Sequence, residues 1–460
     1  MEVVTQAPQP TIKCYHSVNT YDSKQFATKR LYQEFTPTSL YTAGKNLQSY
    51  SFENSVNNFG GSFSFTIKED IPGYIQTNAF MDEVQPLDII VISETGDGQT
   101  IDFIGVVTKV SVGGISSNLT KSVTVSGRSI EWLFTYYNIN TDMKACIFSN
   151  EAANNTFKVD LAKNDGQSGV SIKDIVIASF KMFESQTKEH NAVSNTVIGE
   201  IIKLWYGDDY SQFIEASNDV FAYPISSNMF ESGNINVIDY IKKLLPSPLY
   251  EIYGYIDITN KPKLMVRLVP YDNPKSDYRI NPVQLTDFTL TKSCEEVYTA
   301  FMPYIEGSSM SPDFYMNVAK AEGITEKGYD YALSNQNKVN LFGYQLLTCS
   351  FVGYNADATN QSIDKEKLKK LAENMKNWFG NLEEMYSGDF TIVNIPSPGN
   401  VRIGNWINFA EGLFYINTAN HTWNYGDNPM INYQVSRGGR WINGNFKSLD
   451  KLSVVYREFE

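Results

Sequence analysis

Pro86-Leu87-Asp88-Ile89-Ile90-Val91-Ile92, then Phe103-Ile104-Gly105-Val106-Val107, then Val123-Thr124-Val125-Ser126-Gly127-Arg128 is the stretch whose reading decides the fold. The first piece is a short apolar run behind a proline. Thr95-Gly96-Asp97-Gly98 follows as a hairpin turn, because Asp-Gly tolerates positive φ. Ile101 to Val110 is the return strand. Gly113-Gly114 turns the chain again, and Lys121 to Ser126 alternates around Val123 and Val125. Upstream, Phe63, Phe65 and Ile67 alternate with Ser62, Ser64 and Thr66, the period of a half-buried strand. Gly60-Gly61 precedes them as a turn or bulge. Short strands with a turn signal about every ten residues read as a small barrel or sandwich.

A second segment carries the same pattern: Arg402-Ile403-Gly404-Asn405-Trp406-Ile407-Asn408-Phe409, then Phe414-Tyr415-Ile416-Asn417-Thr418, then Tyr433-Gln434-Val435-Ser436-Arg437-Gly438. Each segment has a strand, a glycine-containing turn, an aromatic-led strand, a long connection and a closing strand. The closing strands end in Val-Ser-Gly-Arg and Val-Ser-Arg-Gly. Two readings stand: an internal duplication, or two three-strand meanders that look alike.

Outward from these segments the period changes. Residues 1–44, broken by Pro8, Pro10 and Pro37, read as an irregular arm. In the middle, Ile172, Ile175, Val176, Phe180 and Phe183 share a helical face, as do Ile198, Ile201, Ile202 and Trp205. Val237, Ile241, Leu244 and Leu245 form a third such face, with Asn234 or Asn236 as cap and Pro246 and Pro248 as stop. Tyr250 to Tyr271 reads as a hairpin turning at Thr259-Asn260-Lys261-Pro262. Strands are expected over Val283 to Tyr304 and Leu341 to Val352. Leu368, Leu371, Ala372, Met375, Trp378 and Phe379 mark an amphipathic helix ended by Gly380, with Ser362 or Asp364 as cap. Strands resume from Met385 to Trp441. The expected fold class is β-rich α+β, with two similar small β-barrel domains and a mixed helical/β middle region. The corresponding boundaries are 1–44 arm, 45–140 first β-barrel, 141–280 mixed middle, 281–445 second β-barrel with a helical insertion, and 446–460 tail.

The 460 residues carry 38 Lys+Arg against 51 Asp+Glu, a net charge of -13. That argues against a free-standing nucleic-acid reader, which needs a basic face. Aromatic content of 13% argues against disorder. The start lacks a basic and then apolar leader, and no stretch is apolar for about 18 residues, so no membrane anchor is expected. Cys14, Cys146, Cys294 and Cys349 are far apart, as reduced thiols would be.

Chemistry is sparse. There is no phosphate-binding loop, no dinucleotide fingerprint, no nucleophile elbow and no paired-histidine zinc motif. His16, His190 and His421 are the only histidines. Cys14 and His16 lack a second ligand pair. Glu295-Glu296 and Glu383-Glu384 are adjacent carboxylates, and a glycosidase needs two facing each other across a cleft. Trp406, Trp423 and Trp441 are candidates for sugar stacking, with core packing the favoured alternative. No catalytic, cofactor-binding or metal-binding residue is assigned.

The ordered series resembles the central baseplate hub proteins of contractile phage tails, the module that also forms the N-terminal half of type VI secretion spike proteins. The carriers are Phe103 to Val107 leading to Val125-Ser126-Gly127-Arg128 and Trp132-Leu133, and the Tyr250 to Tyr271 hairpin. They continue with Trp378-Phe379 before Tyr386 to Ile392, and with Arg402 to Asn405, Phe414 to His421 and Val435 to Gly438. The resemblance spans about Leu47 to Trp441. It implies a non-enzymatic homotrimer whose two barrels per chain make a pseudo-sixfold ring, adapting a sixfold tail tube to a threefold spike. Implied partners are the central spike, the tail tube or its initiator, baseplate wedge proteins and a tape measure protein. DNA would pass through an acidic channel without specific binding. The implied location is the tail baseplate of a virion or tail-like particle, assembled in the bacterial cytoplasm. With the chain ending at Tyr456-Arg457-Glu458-Phe459-Glu460, the spike and any wall-degrading enzyme are expected on separate chains. A tail-associated peptidoglycan-degrading enzyme and a carbohydrate-binding adhesin remain the alternatives.

Overall fold

The computed structural model describes residues 10–21, 28–34, 47–70, 86–94, 100–115, 120–136, most of 235–306, 333–352, 365–393, 401–442 and 445–449, with shorter pieces that include parts of 138–221. It is predominantly β. One sheet of thirteen strands dominates it.

The first half of that sheet is built from β1 (Thr11–Tyr21), β2 (Thr28–Glu34), β3 (Leu47–Ser55), β4 (Ser62–Asp70), β5 (Ile89–Ser93), β6 (Phe103–Ile115) and β7 (Thr120–Ser129). The alternation expected in β4 holds: Phe63, Phe65 and Ile67 are buried. β5 is buried along its whole length, which is why it reads as a continuous apolar run rather than an alternating one.

Three readings need correction. The arm contains two strands: β1 pairs antiparallel with β5, through Ile12↔Ile92 and Cys14↔Ile90, and with β2. Its prolines obscured this; Pro10 directly precedes β1, where a missing N–H costs no ladder bond. Gly113-Gly114 is no turn. Both lie inside β6, opposite Ser122 and Lys121 of β7. Residues 341–342 close a helix, and the strand expected there starts at Leu346. The turn read over 95–98 lies outside the described residues.

The middle supplies β8 (Ile214–Ala216), helix α1 (Val237–Leu244), and the hairpin of β9 (Tyr250–Ile256) and β10 (Pro262–Leu268). Asn236 caps α1 by accepting the Asp239 N–H at 2.8 Å. The hairpin turns where expected. Asp257 Oδ1 accepts the backbone N–H groups of Thr259 and Lys261, and Asn260 takes φ 61. Ile172, Val176 and Phe180 are buried at helical spacing, while most of the helix read over 198–205 lies outside the described residues.

The second half of the sheet comprises β11 (Leu285–Thr291), β14 (Tyr386–Val393), β15 (Trp406–Phe409), β16 (Gly412–Asn424), β17 (Met430–Ile442) and β18 (Asn445–Lys447). Between β11 and β14 the chain adds β12 (Ala300–Glu306), α2 (Gln336–Phe342), β13 (Leu346–Val352) and α3 (Lys365–Phe379). α3 buries Ala372, Met375 and Trp378 and ends at Gly380, whose N–H returns to Lys376 O at 2.8 Å. Its expected caps lie outside the described residues.

The duplication is visible in the backbone. The lateral order of the first five-stranded unit is β3-β4-β7-β6-β5, and that of the second is β11-β14-β17-β16-β15. In chain order both run first, second, fifth, fourth, third, and every pairing is antiparallel. Small irregularities repeat as well. β3 and β11 each shift register one residue after a leucine, Leu47 or Leu285. β6 shifts after Val107, and β16 shifts after Ile416. Leu87 (φ 76) donates to Val107 O at 2.8 Å, and Gly404 (φ 77) donates to Ile416 O at 2.8 Å. Val107 in turn donates to Asp88 O at 2.8 Å, and Ile416 to Asn405 O at 3.0 Å. A positive φ at Leu87 is unfavourable for a branched side chain, so the repeated hydrogen bonds hold it there. By strand register these matches make Val125 the equivalent of Tyr433. The sequence echo had paired Val125 with Val435, two residues away.

Each unit buries one face around aromatic and branched residues: Phe52, Phe65 and Val125 in the first, Phe390, Phe414 and Tyr433 in the second. The other face is covered by a helix. Ile89 and Val106 pack with Ile238 and Ile241 of α1, while their equivalents Trp406 and Tyr415 pack with Met375 and Trp378 of α3.

Candidate assembly interface

The two units join edge to edge within the chain. β16 pairs with β3 in seven steps, from Thr418↔Ser55 to Asn424↔Ser49. Val56 N–H donates to Asn417 O at 2.8 Å, and Tyr425 N–H to Gln48 O at 2.7 Å, at the two ends of the ladder. Side chains lock it. Thr418 Oγ1 donates to Ser55 Oγ at 3.1 Å. Tyr50 stacks on Trp423 at 5.8 Å, and Phe52 on His421 at 4.3 Å. Glu94, buried behind β5, accepts the Tyr50 hydroxyl at 2.8 Å and meets His421 Nδ1 at 2.9 Å.

Duplication means each half of this junction has a counterpart elsewhere. The counterpart of β3 is β11, and the counterpart of the Thr418–Asn424 part of β16 is residues 109–115 of β6. Among the described residues neither counterpart has a strand on that edge. β11 ends the sheet, and β5 pairs only with the Phe103–Val106 part of β6. Both are water-facing: Val112 is 43% exposed, and Val283, just before β11, is 91% exposed. Open edges of this kind invite pairing with another chain.

The register of such a pairing follows from the matched irregularities. His421 faces Phe52 inside the chain, so Val112 would face Leu290 of a neighbour, Gly113 would face Thr289, and Gly114 would face Phe288. Hydrogen-bonded pairs alternate along an antiparallel ladder. Counting in steps of two from Asn417 and Tyr425 puts His421 on the bonded side, and therefore Val112 and Gly114 with their N–H groups toward the open edge.

The residues singled out for chemistry do not assemble into a site. Glu295 and Glu296 are exposed. Glu383 is paired with Lys338, which also donates to Asn381 Oδ1 at 2.9 Å. Trp406 and Trp423 are each 5% exposed and belong to the cores, so neither presents a ring to a sugar. Trp441 packs on Phe446. Cys14 and Cys349 are buried free thiols, Cys294 an exposed one, and Cys146 lies outside the described residues. Among the described residues no three His, Cys, Asp or Glu side chains group as a metal site, and no helix is long and apolar enough to cross a membrane. Sequence reasoning missed the edges of β6 and β11, because an open edge is defined by lateral order and no residue type marks it.

No family model and no curated protein matches the chain. Solved structures similar to it include the 43 kDa tail protein of prophage MuSo2 from Shewanella oneidensis, at 10% identity and TM-score 0.49, over 93% of this chain and 98% of that one. A tail protein from Neisseria meningitidis is similar at 9% identity and TM-score 0.47, over 93% and 96%. The E. coli c3393 protein, described as a type VI secretion component with structural similarity to T4 bacteriophage tail proteins gp27 and gp5, is similar at 8% identity and TM-score 0.40, over 88% and 77%. These neighbours are described as phage tail proteins and a type VI secretion component similar to phage tail proteins.

Proposed function

We propose that the chain is a structural hub of a contractile tail, and that three copies close head to tail into a ring of six five-stranded units. The observation that carries this is the pair of open edges. They are the duplicated counterparts of two edges already joined inside the chain. A contact between unlike surfaces propagates, and it closes when the rotation per copy divides a full turn. One chain already holds two of the six seats, so three chains complete the circle. The ring would join the tail tube or its initiator on one side and the central spike on the other, with wedge and tape measure proteins as further partners. DNA would pass through an acidic channel, with which the net charge of -13 per chain is compatible. The baseplate of a virion or tail-like particle is the proposed location, with assembly in the host cytoplasm. The domain limits 45–140 and 281–445 would bound the two ring units.

The experiment is a pair of cysteines, Val112→Cys with Leu290→Cys. Facing residues of a hydrogen-bonded antiparallel pair have Cα atoms about 5.5 Å apart, within disulfide reach. Oxidation is expected to give covalent trimers only when both cysteines are present. Monomers alone, in native mass spectrometry and after oxidation at micromolar concentration, would count against the ring.

A further inference from the structure

A cavity of about 320 Å³ opens where α1, the start of β9, the end of α3 and the β16–β17 pair meet. That is within the size range of small-ligand pockets. Its charged lining residues are Lys242, Glu251 and Arg437. The carboxylate is already engaged: Glu251 accepts from Arg267 Nε at 3.2 Å and from the Tyr415 hydroxyl. Neither cation forms an ion pair among the described residues. Lys242 lies 5.9 Å from the Phe59 ring.

Arg437 sits at φ 56 in the irregular part of β17, which aims its side chain back over α3. Its guanidinium lies 3.9 Å over the Trp378 ring. Nε donates to Trp378 O at 3.3 Å, and Nη1 to Ser436 Oγ at 2.9 Å. Both Nη2 N–H groups and one on Nη1 have no acceptor among the described residues. Burial pushes this guanidinium down to about 10, against the opposing pull of Tyr415, Glu251 and Glu296. A stacked, half-buried guanidinium with an unspent planar fork is the arrangement that receives a carboxylate through two parallel hydrogen bonds.

We propose that this cavity is a binding site for a carboxylate-bearing ligand, with Arg437 as the bidentate partner, Lys242 as the second cation, and the half-buried Phe379 beside them. A free small acid and an acidic side chain of an assembly partner offer the same chemistry. The site shares no residue with the open edges of β6 and β11, so it stands or falls separately from the ring.

The test titrates the full chain with benzoate and with benzamide, its neutral counterpart, reading tryptophan fluorescence and ligand-observed NMR. A second arm uses acetyl-Phe-Glu-Phe-amide and its glutamine counterpart. Benzoate or the glutamate peptide is expected to saturate the signal, while the neutral partners do not. The tighter of the two identifies the source of the carboxylate. Arg437→Lys keeps the charge but loses the fork, and is expected to weaken binding about tenfold or more. Lys242→Met, on an exposed helix position, should weaken it about threefold. Neutral and charged probes binding alike, no saturation by either acid, or full affinity in both variants would overturn the proposal. Should Arg437→Lys fail to fold, the Lys242→Met comparison and the neutral probes still decide.

Discussion

Val112→Pro is expected to weaken the proposed trimer while sparing the subunit. The Val112 N–H points away from β7, so a proline there removes no hydrogen bond of the subunit's own ladder. Proline is tolerated on edge strands for this reason. In the proposed ring, however, Val112 and Leu290 of the neighbour would exchange two backbone hydrogen bonds. The ring nitrogen cannot donate one, and the pyrrolidine holds the partner strand off the other. At a net worth of about 1 kcal/mol each, the loss is about 2 kcal/mol per interface, or about 30-fold in the dissociation constant. Sedimentation velocity across a micromolar dilution series measures it, with thermal unfolding of the dilute subunit as the check on folding. Gly113→Pro is the contrasting variant. Gly113 presents its backbone to β7, so proline there attacks the subunit's internal ladder and lowers its melting temperature. An undiminished trimer with Val112→Pro, or equal damage from the two prolines, refutes the edge-pairing argument.

Other outcomes follow from the duplicated cores and from buried charge. Phe65 and Phe390 occupy equivalent positions and are 1% and 0% exposed; truncation of either to alanine is expected to cost about 3–5 kcal/mol in urea unfolding. Glu131 is fully enclosed, and burial raises its carboxyl above the usual range, with only Ser129 and its own backbone N–H opposing. The native state therefore holds its proton more tightly than the unfolded chain, and stability should fall as pH rises above about 4.3. Glu131→Gln is expected to flatten that fall and to gain stability at pH 7.5 relative to the parent. A steeper fall in the variant would show that the carboxyl is ionised and compensated.

Much of the fold was legible where one physical signal dominated. Phe63, Phe65 and Ile67 alternate because β4 has one wet face. The β9–β10 hairpin announced itself through Asn260 and Asp257, which build the turn from their own side chains. α3 was legible because Ala372, Met375 and Trp378 repeat at helical spacing and Gly380 ends them. Where two signals compete, the reading failed. Gly113 and Gly114 look like a turn, yet glycine also occurs inside strands, and both keep the register with β7. The duplication was legible as pattern but not as register, because the shared Val-Ser pairs are chance neighbours. The conserved features are backbone irregularities: a positive φ filled by leucine once and glycine once, and matched one-residue shifts. The assembly edges were invisible for the reason that they depend on which strands end up side by side.

The two units differ most in what lies between their first and second strands. In the first, β3 runs to β4 across residues 56–61; in the second, β11 reaches β14 only after residues 292–385, with α2, α3 and three strands between. Six separate identical subunits could never carry such an insertion at alternate seats only, since each would bear it or none would. Fusing two copies of the unit into one polypeptide removes that restriction. In the proposed ring one copy would remain lean while the other carries the appendage, and the alternation around the circle would be written into the covalent chain rather than left to the chance of mixed assembly.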